Sequence, residues 1–120
     1  MKFDEILYAP EFQRDLKKLK KRFRTLEEDL SNLINAGIAP FHKQGVETGG
    51  IVRISGIGFQ QPGVYKVRRF ACRSLKGTGS QSGIRVIYAY FEEEDRLLFI
   101  EIYYKGDKEN EDRERILRIL

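Results

Sequence analysis

Apolar residues recur along this chain at two periods, and the change from one to the other divides it. From Pro10 onward, Phe12, Leu16, Leu19 and Phe23 fall at spacings of four, three and four, which is one face of a helix. The opposite face carries Arg14, Lys17, Lys18, Lys20, Lys21 and Arg22. Pro10 suits a first helical turn, and residues 3–8 before it (FDEILY) read as a strand. Thr25-Leu26-Glu27-Glu28 has the form of a capping box, with the Thr25 hydroxyl accepting from the amide of Glu28. Leu26, Leu30, Leu33 and Ile34 give a second helix its apolar stripe. Gly37 is expected just past its end, and Pro40 to block its continuation. The pair predicts an αα-hairpin that must lay its two stripes on a sheet.

Residues 42–63 are rich in glycine (Gly45, Gly49, Gly50, Gly56, Gly58, Gly63) and read as loops, with a short strand at 51–54. Beyond them the period becomes two. Residues 64–71 alternate, placing Val64, Lys66, Arg68 and Phe70 on one side and Tyr65, Val67, Arg69 and Ala71 on the other. Lys66 and Arg68 are then neighbours roughly 7 Å apart. Residues 74–83 (SLKGTGSQSG) form a loop that lacks both the Gly-Lys-Ser/Thr ending and the following helix of a Walker motif. Residues 84–91 and 97–105 predict an antiparallel hairpin across a charged turn. Leu98, Ile100, Ile102 and Tyr104 are expected in the core. Phe99, Glu101, Tyr103 and Lys105 are expected to face the other way and line an open cleft. Asn110 is expected to cap a last helix, docked by Ile116, Leu117 and Leu120. The expected fold class is α+β: a small antiparallel β-sheet packed by an N-terminal helical hairpin, with a short C-terminal helix, in one domain spanning 1–120.

Charge sharpens this picture. The chain of 120 residues has a net charge of +4, but the distribution matters more. Between Pro62 and Phe91 stand Lys66, Arg68, Arg69, Arg73, Lys76 and Arg85 without one acid. The acids gather at 27–29, 92–95 and 107–114, which suggests a positive face and a negative rim. A positive face beside tyrosines fits a phosphate-bearing partner, RNA first; the plainer reading is a solvated strand with snorkelling side chains. Cys72 is the only cysteine and His42 the only histidine, so no internal disulfide and no tetrahedral zinc site can form. No cofactor or metal is expected. No apolar run approaches membrane-spanning length, acids arrive at once after Met1 where a signal peptide would need an apolar run, and the expected address is cytoplasmic, without a membrane partner.

Three segments then carry a resemblance. Tyr65-Lys66-Val67-Arg68, Gly77 to Tyr88 (GTGSQSGIRVIY), and Ile102-Tyr103-Tyr104-Lys105, in that order behind a helix pair, resemble the RelE/ParE superfamily of toxins, nearest its RelE and HigB branches. The likeness covers almost the whole chain. It implies the toxin half of a type II toxin–antitoxin pair. RelE-like members cut messenger RNA in the ribosomal A site, ParE-like members poison gyrase, and an antitoxin, here expected to be a small helix-turn-helix protein, wraps the toxin. By matching motif position the resemblance implies catalytic roles for Lys66, Arg68 and Arg85. Arg69, Arg73 and Lys76 become substrate or ribosomal RNA contacts, and Tyr103 or Lys105 assists or stacks on a base. In the best-known RelE pattern an Arg directly follows the last-strand Lys, and a catalytic Tyr follows later. Here Gly106 follows Lys105 and the last helix has no Tyr, so the resemblance names no proton donor.

The chemistry has its own logic. Metal-free RNA cleavage needs the 2′-hydroxyl deprotonated, the phosphorane charge stabilised and the leaving 5′-oxygen protonated. A lysine among other cations can act as base if they lower its pKa, which is the role expected of Lys66. Arginine cannot deprotonate and would stabilise charge, the role expected of Arg68 and Arg85. Three functions stand side by side: a ribosome-dependent mRNA endonuclease that inhibits translation, a non-enzymatic gyrase inhibitor, and an inactive basic RNA-binding relative.

Overall fold

A computed structural model describes residues 2–48 and 50–120; Gly49, one of the expected turn glycines, lies outside the described residues. Five strands form one sheet in the order β1-β5-β4-β3-β2. They are β1 (Glu5–Tyr8), β2 (Ile51–Arg53), β3 (Gly63–Val67), β4 (Ile84–Phe91) and β5 (Arg96–Tyr104). The last four pair antiparallel, while β1 lies parallel to β5 at the edge of the sheet. The helices are α1 (Pro10–Lys20), α2 (Leu26–Leu33), α3 (Ala39–Gln44) and α4 (Arg113–Ile119). The α+β class and the N-terminal helical hairpin are as the periodicity implies.

β4 is apolar on both sides because both faces of the sheet are covered. On one face α1 and α2 bury Phe12, Leu19, Leu26 and Leu30 against Val67, Val86, Tyr88 and Phe99. On the other, Ile116 of α4 closes a smaller core with Val64, Ile87, Ala89, Ile100 and Tyr103.

Several local expectations are corrected. Thr25 does not cap α2: its hydroxyl donates to Asp29 Oδ2 at 2.6 Å. Gly37 does not end the second helix. A π-helical turn over Ile34–Ile38 carries the chain onward into α3, and this places Pro40 in the first turn of α3, where its missing N–H costs nothing. The stop comes at Gly45, whose φ of +66° supplies the left-handed cap. The last helix is capped by Asp112, which accepts from the amide of Arg115 at 3.0 Å, and not by Asn110. Ile116 docks that helix, while Leu117 points outward at 52% exposure.

The most consequential correction is in β5. Ile87 pairs with Glu101 but Tyr88 with Phe99, so Ile100 is an extra residue, a β-bulge. The bulge shifts the alternation by one. Leu97 and Phe99 join Ile102 on the helix-hairpin face, while Ile100 joins Glu101 and Tyr103 on the other. Glu101 and Tyr103 are also not open to solvent: both are buried.

Candidate functional site

Strand β3 leaves the ladder after Val67, four residues earlier than the alternation through Ala71 implies. Arg68 N–H turns instead to the carbonyl of Gly50 at 3.1 Å. Gly50 has φ +67°, and a Cβ there would stand 3.2 Å from Arg69 Cγ, so glycine lets the two segments meet. Ser82 anchors the other side, donating to the carbonyl of Phe70 at 2.5 Å and accepting from the amide of Ile84 at 3.1 Å. Between these anchors opens a pocket of about 470 Å³ lined by Arg68, Arg69, Arg85, Lys105, Gln81, Gly50, Gly83 and Val52.

Four cations and no acid line it. Among the described residues none of Arg68, Arg69, Arg85 and Lys105 enters an ion pair. Arg85 is held by Nη1, which donates to the carbonyl of Arg68 at 2.8 Å. Its other guanidinium nitrogens make no hydrogen bond among the described residues. Such a cluster raises a positive potential over the pocket and concentrates anions there, and a planar guanidinium meets phosphate oxygens two at a time.

Lys66 shares the strand face of Arg85 and Tyr103 but does not reach the pocket. Its Nζ donates to Glu111 Oε1 at 2.9 Å. Burial alone would push the Lys66 ammonium down, but Glu111 and the nearby Tyr103 oxygen outweigh it and hold the pKa above the ordinary lysine value. That reverses the expected poise: a lysine paired with an acid keeps its proton. The same pair holds Glu111 below the usual carboxylate range although its burial acts the other way. Burial pushes the Tyr103 phenol up, and its hydroxyl has no hydrogen-bond partner among the described residues.

The remaining candidates lie apart. Arg73 pairs with Glu28 at 2.6 Å and with buried Asp29 at 3.1 Å, at the start of α2. Lys76 is exposed on the loop and does not line the pocket. His42 sits under the opposite face, bonded to Tyr88 Oη at 2.8 Å and packed edge-on against Tyr65 and Phe3 and at a tilt against Tyr90. Burial, then the charge of Lys43, lowers its pKa to about 4, so at neutral pH it is an uncharged, half-buried residue. Cys72 is likewise buried and its thiol is pushed up by burial. No group of acids, histidines and cysteines among the described residues is arranged to hold a metal ion, and no helix among them is long and apolar enough to cross a membrane. A larger cleft of about 690 Å³ lies between β1, α1 and α2. Its lining is largely apolar and its Lys20 is already paired with Glu27, so the chemistry points to the cationic pocket.

Residue type and pattern missed Gln81, Gly50 and Val52 as pocket walls and Glu111 as the partner of Lys66. The positive-φ glycine was the one signal available for the first group. Nothing in the sequence marks which of the clustered acids meets Lys66.

Solved structures share this architecture. A chain in the crystal structure of an archaeal RelE–RelB complex from Pyrococcus horikoshii superposes with a TM-score of 0.53 at 14% identity, covering 88% of this chain and 98% of that one. A mutant of the Escherichia coli toxin RelE in the free state gives 0.52 at 19% identity over 100% of both chains. A conserved hypothetical protein from Helicobacter pylori gives 0.50 at 16%, covering 86% and 96%. No protein-family model matches the sequence, and no curated protein matches it. The fold is thus the RelE-like one that the sequence resemblance implies.

Proposed function

We propose that this protein is the toxin of a type II toxin–antitoxin pair and acts as a metal-independent mRNA endonuclease on translating ribosomes, inhibiting translation. The observation that carries the reading is the acid-free pocket of Arg68, Arg69, Arg85 and Lys105 on a RelE-like fold. In this reading Arg69 and Lys105 bind the flanking phosphates. Arg68 and Arg85 stabilise the extra negative charge of the phosphorane, a role in which fixed donors act without reorganising. The pocket has no neutral base: Lys66 is ion-paired and His42 lies under the other face. Catalysis in this reading therefore rests on positioning and charge stabilisation, with in-line geometry imposed by the ribosome that presents the message and with solvent water taking the 2′-hydroxyl proton and returning one to the leaving 5′-oxygen. The partner that restrains the protein is an antitoxin, in this reading a small helix-turn-helix protein; the solved archaeal RelE–RelB complex supports an antitoxin partner. Arg73 and Lys76, on the loop rim, contact ribosomal RNA, Arg73 with the part of its guanidinium not engaged by Asp29 and Glu28.

The test is induction in cells with two readouts, amino-acid incorporation and DNA-damage response, followed by mapping of message ends on purified translating ribosomes. Translation stops, new 5′ ends appear in ribosome-bound message, and the same RNA without ribosomes stays intact. Rapid cutting of naked RNA overturns the ribosome requirement. A DNA-damage response with translation initially intact points to gyrase instead, and unimpaired growth to an inactive relative.

A further inference from the structure

The cationic sheet face does not stop at the rim of the open pocket. Register carries it from Arg85 across to Tyr103, and along β3 to Lys66. There it is crossed by residues 107–112, which bring Asp107, Glu109, Glu111 and Asp112. Glu111 alone of these meets Lys66, and the two side chains are only 12% and 18% exposed. Beside them stands the buried Tyr103 hydroxyl, a donor with no acceptor among the described residues.

The pair is not needed to dock α4. Ile116 is fully buried under it, Arg115 reaches Asp15 at 2.6 Å, and Arg118 reaches Glu11 at 3.3 Å. The approach to the helix is fastened separately, by the Asp112 amide donating to Glu101 Oε1 at 2.8 Å and by Lys108 on the same carboxylate. Glu111 precedes the first helical residue, so it can turn away without unwinding anything.

A carboxylate and a phosphate offer the same face to a lysine: anionic oxygens accepting charge-assisted hydrogen bonds. We infer that Lys66 and Tyr103 form a second phosphate subsite, continuous with the open pocket, and that Glu111 occupies it in cis, keeping a short free single strand out of it and yielding only to an RNA chain held in place by further contacts. The incoming phosphate accepts from Lys66 Nζ and also from Tyr103 Oη, which gains the partner it lacks. The proposal rests on the reading of the open pocket as an RNA site, and it adds both the extent of that site and the residue that restrains it.

The test is binding of a single-stranded 2′-deoxy oligonucleotide, which has no 2′-hydroxyl to attack, measured from 50 to 200 mM salt. Each phosphate contact on a single strand adds about 0.7 to the slope of log affinity against log salt. Glu111→Gln binds more tightly than wild type at 50 mM, and its slope is steeper by ~0.7, an extra loss of about 2.5-fold across that range. Lys66→Gln combined with Glu111→Gln returns the slope to the wild-type value. Glu109→Gln, which removes an exposed acid of the same segment, leaves the slope unchanged. The inference is overturned if folded Glu111→Gln keeps the wild-type slope, or if Glu109→Gln steepens it equally, which marks a diffuse charge effect. Absence of binding by wild type and Glu111→Gln alike overturns the open-pocket reading together with this one. Binding by both with equal slopes overturns only the subsite.

Discussion

Asp29 ties the helical hairpin to the loop that walls the pocket, and removing it tests that mechanical link. Its carboxylate, buried in the interior, accepts from the Thr25 hydroxyl at 2.6 Å, from the Arg73 amide at 3.1 Å and from Arg73 Nε at 3.1 Å. Thr25 and Ser74 then lock to each other through both their backbone amides and their hydroxyls. Hydrogen bonds to a charged group contribute about 1.5–3 kcal/mol each. Counting only those from the Thr25 hydroxyl and the Arg73 amide, and nothing for the solvent-screened guanidinium, Asp29→Ala costs about 3 kcal/mol. At this chain length that is a fall in Tm of roughly 10–15 °C. Urea unfolding should show a lower midpoint at unchanged m. Hydrogen exchange should accelerate at Arg73 and Ser74 before it does in β4. Because residues 73–83 end at Gln81 and Gly83 of the pocket wall, affinity for oligonucleotide should weaken as well. Glu28→Ala, which removes only the exposed partner of Arg73, should do little to either. An Asp29→Ala protein within 1 kcal/mol of wild type would refute the clamp, since a buried carboxylate with donors on three sides cannot be lost that cheaply.

Two further outcomes follow from the site and the core. Arg85→Ala should reduce cleavage by about 10²–10³-fold, the usual effect of deleting one donor to a developing anion. Its stability should change by no more than about 1 kcal/mol, since the fold loses one hydrogen bond to the Arg68 carbonyl; full toxicity in a folded Arg85→Ala protein removes the pocket from the mechanism. For His42 the folded pKa, about 4, lies below the ordinary histidine value of 6.5. The unfolded chain therefore binds the proton first, and stability present above pH 6.5 is lost as pH falls toward 4. Discounted for partial exposure, the loss is about 2 kcal/mol. The difference between wild-type and His42→Gln stability curves isolates it from the carboxylates that titrate nearby, and parallel curves from pH 7 to pH 4 would contradict the burial argument.

What could be read from the sequence, and what could not, follows the range of the interactions involved. Phe12, Leu16 and Leu19 declare their helix because a helical face is a property of neighbours three and four apart; Phe23, read with them, falls past its end at Lys20. The hairpin of β4 and β5 is as legible, since β-branched and aromatic runs on either side of a charged turn need no distant partner to be recognised. The β-bulge at Ile100 is different. Both possible phases of β5 are apolar enough to serve, and the choice is made where α4 covers one face and the helical hairpin the other, so Tyr103 passes from expected cleft wall to buried phenol without any change in the local pattern. Gly37 and Pro40 misled for a related reason: each is a stop signal taken singly, but a wider turn absorbs the first and moves the second to a position that tolerates it. The cationic site divides along the same line. Charge is written in the sequence and its accumulation between Pro62 and Phe91 could be read directly; pairing is not. Lys66 and Arg68, two residues apart, look equivalent in one dimension. In three, β3 ends between them, so Arg68 opens to solvent beside Arg85 while Lys66 meets an acid forty-five residues along the chain. The segment that supplies that acid is thereby as much a part of the site as the strand that supplies the lysine.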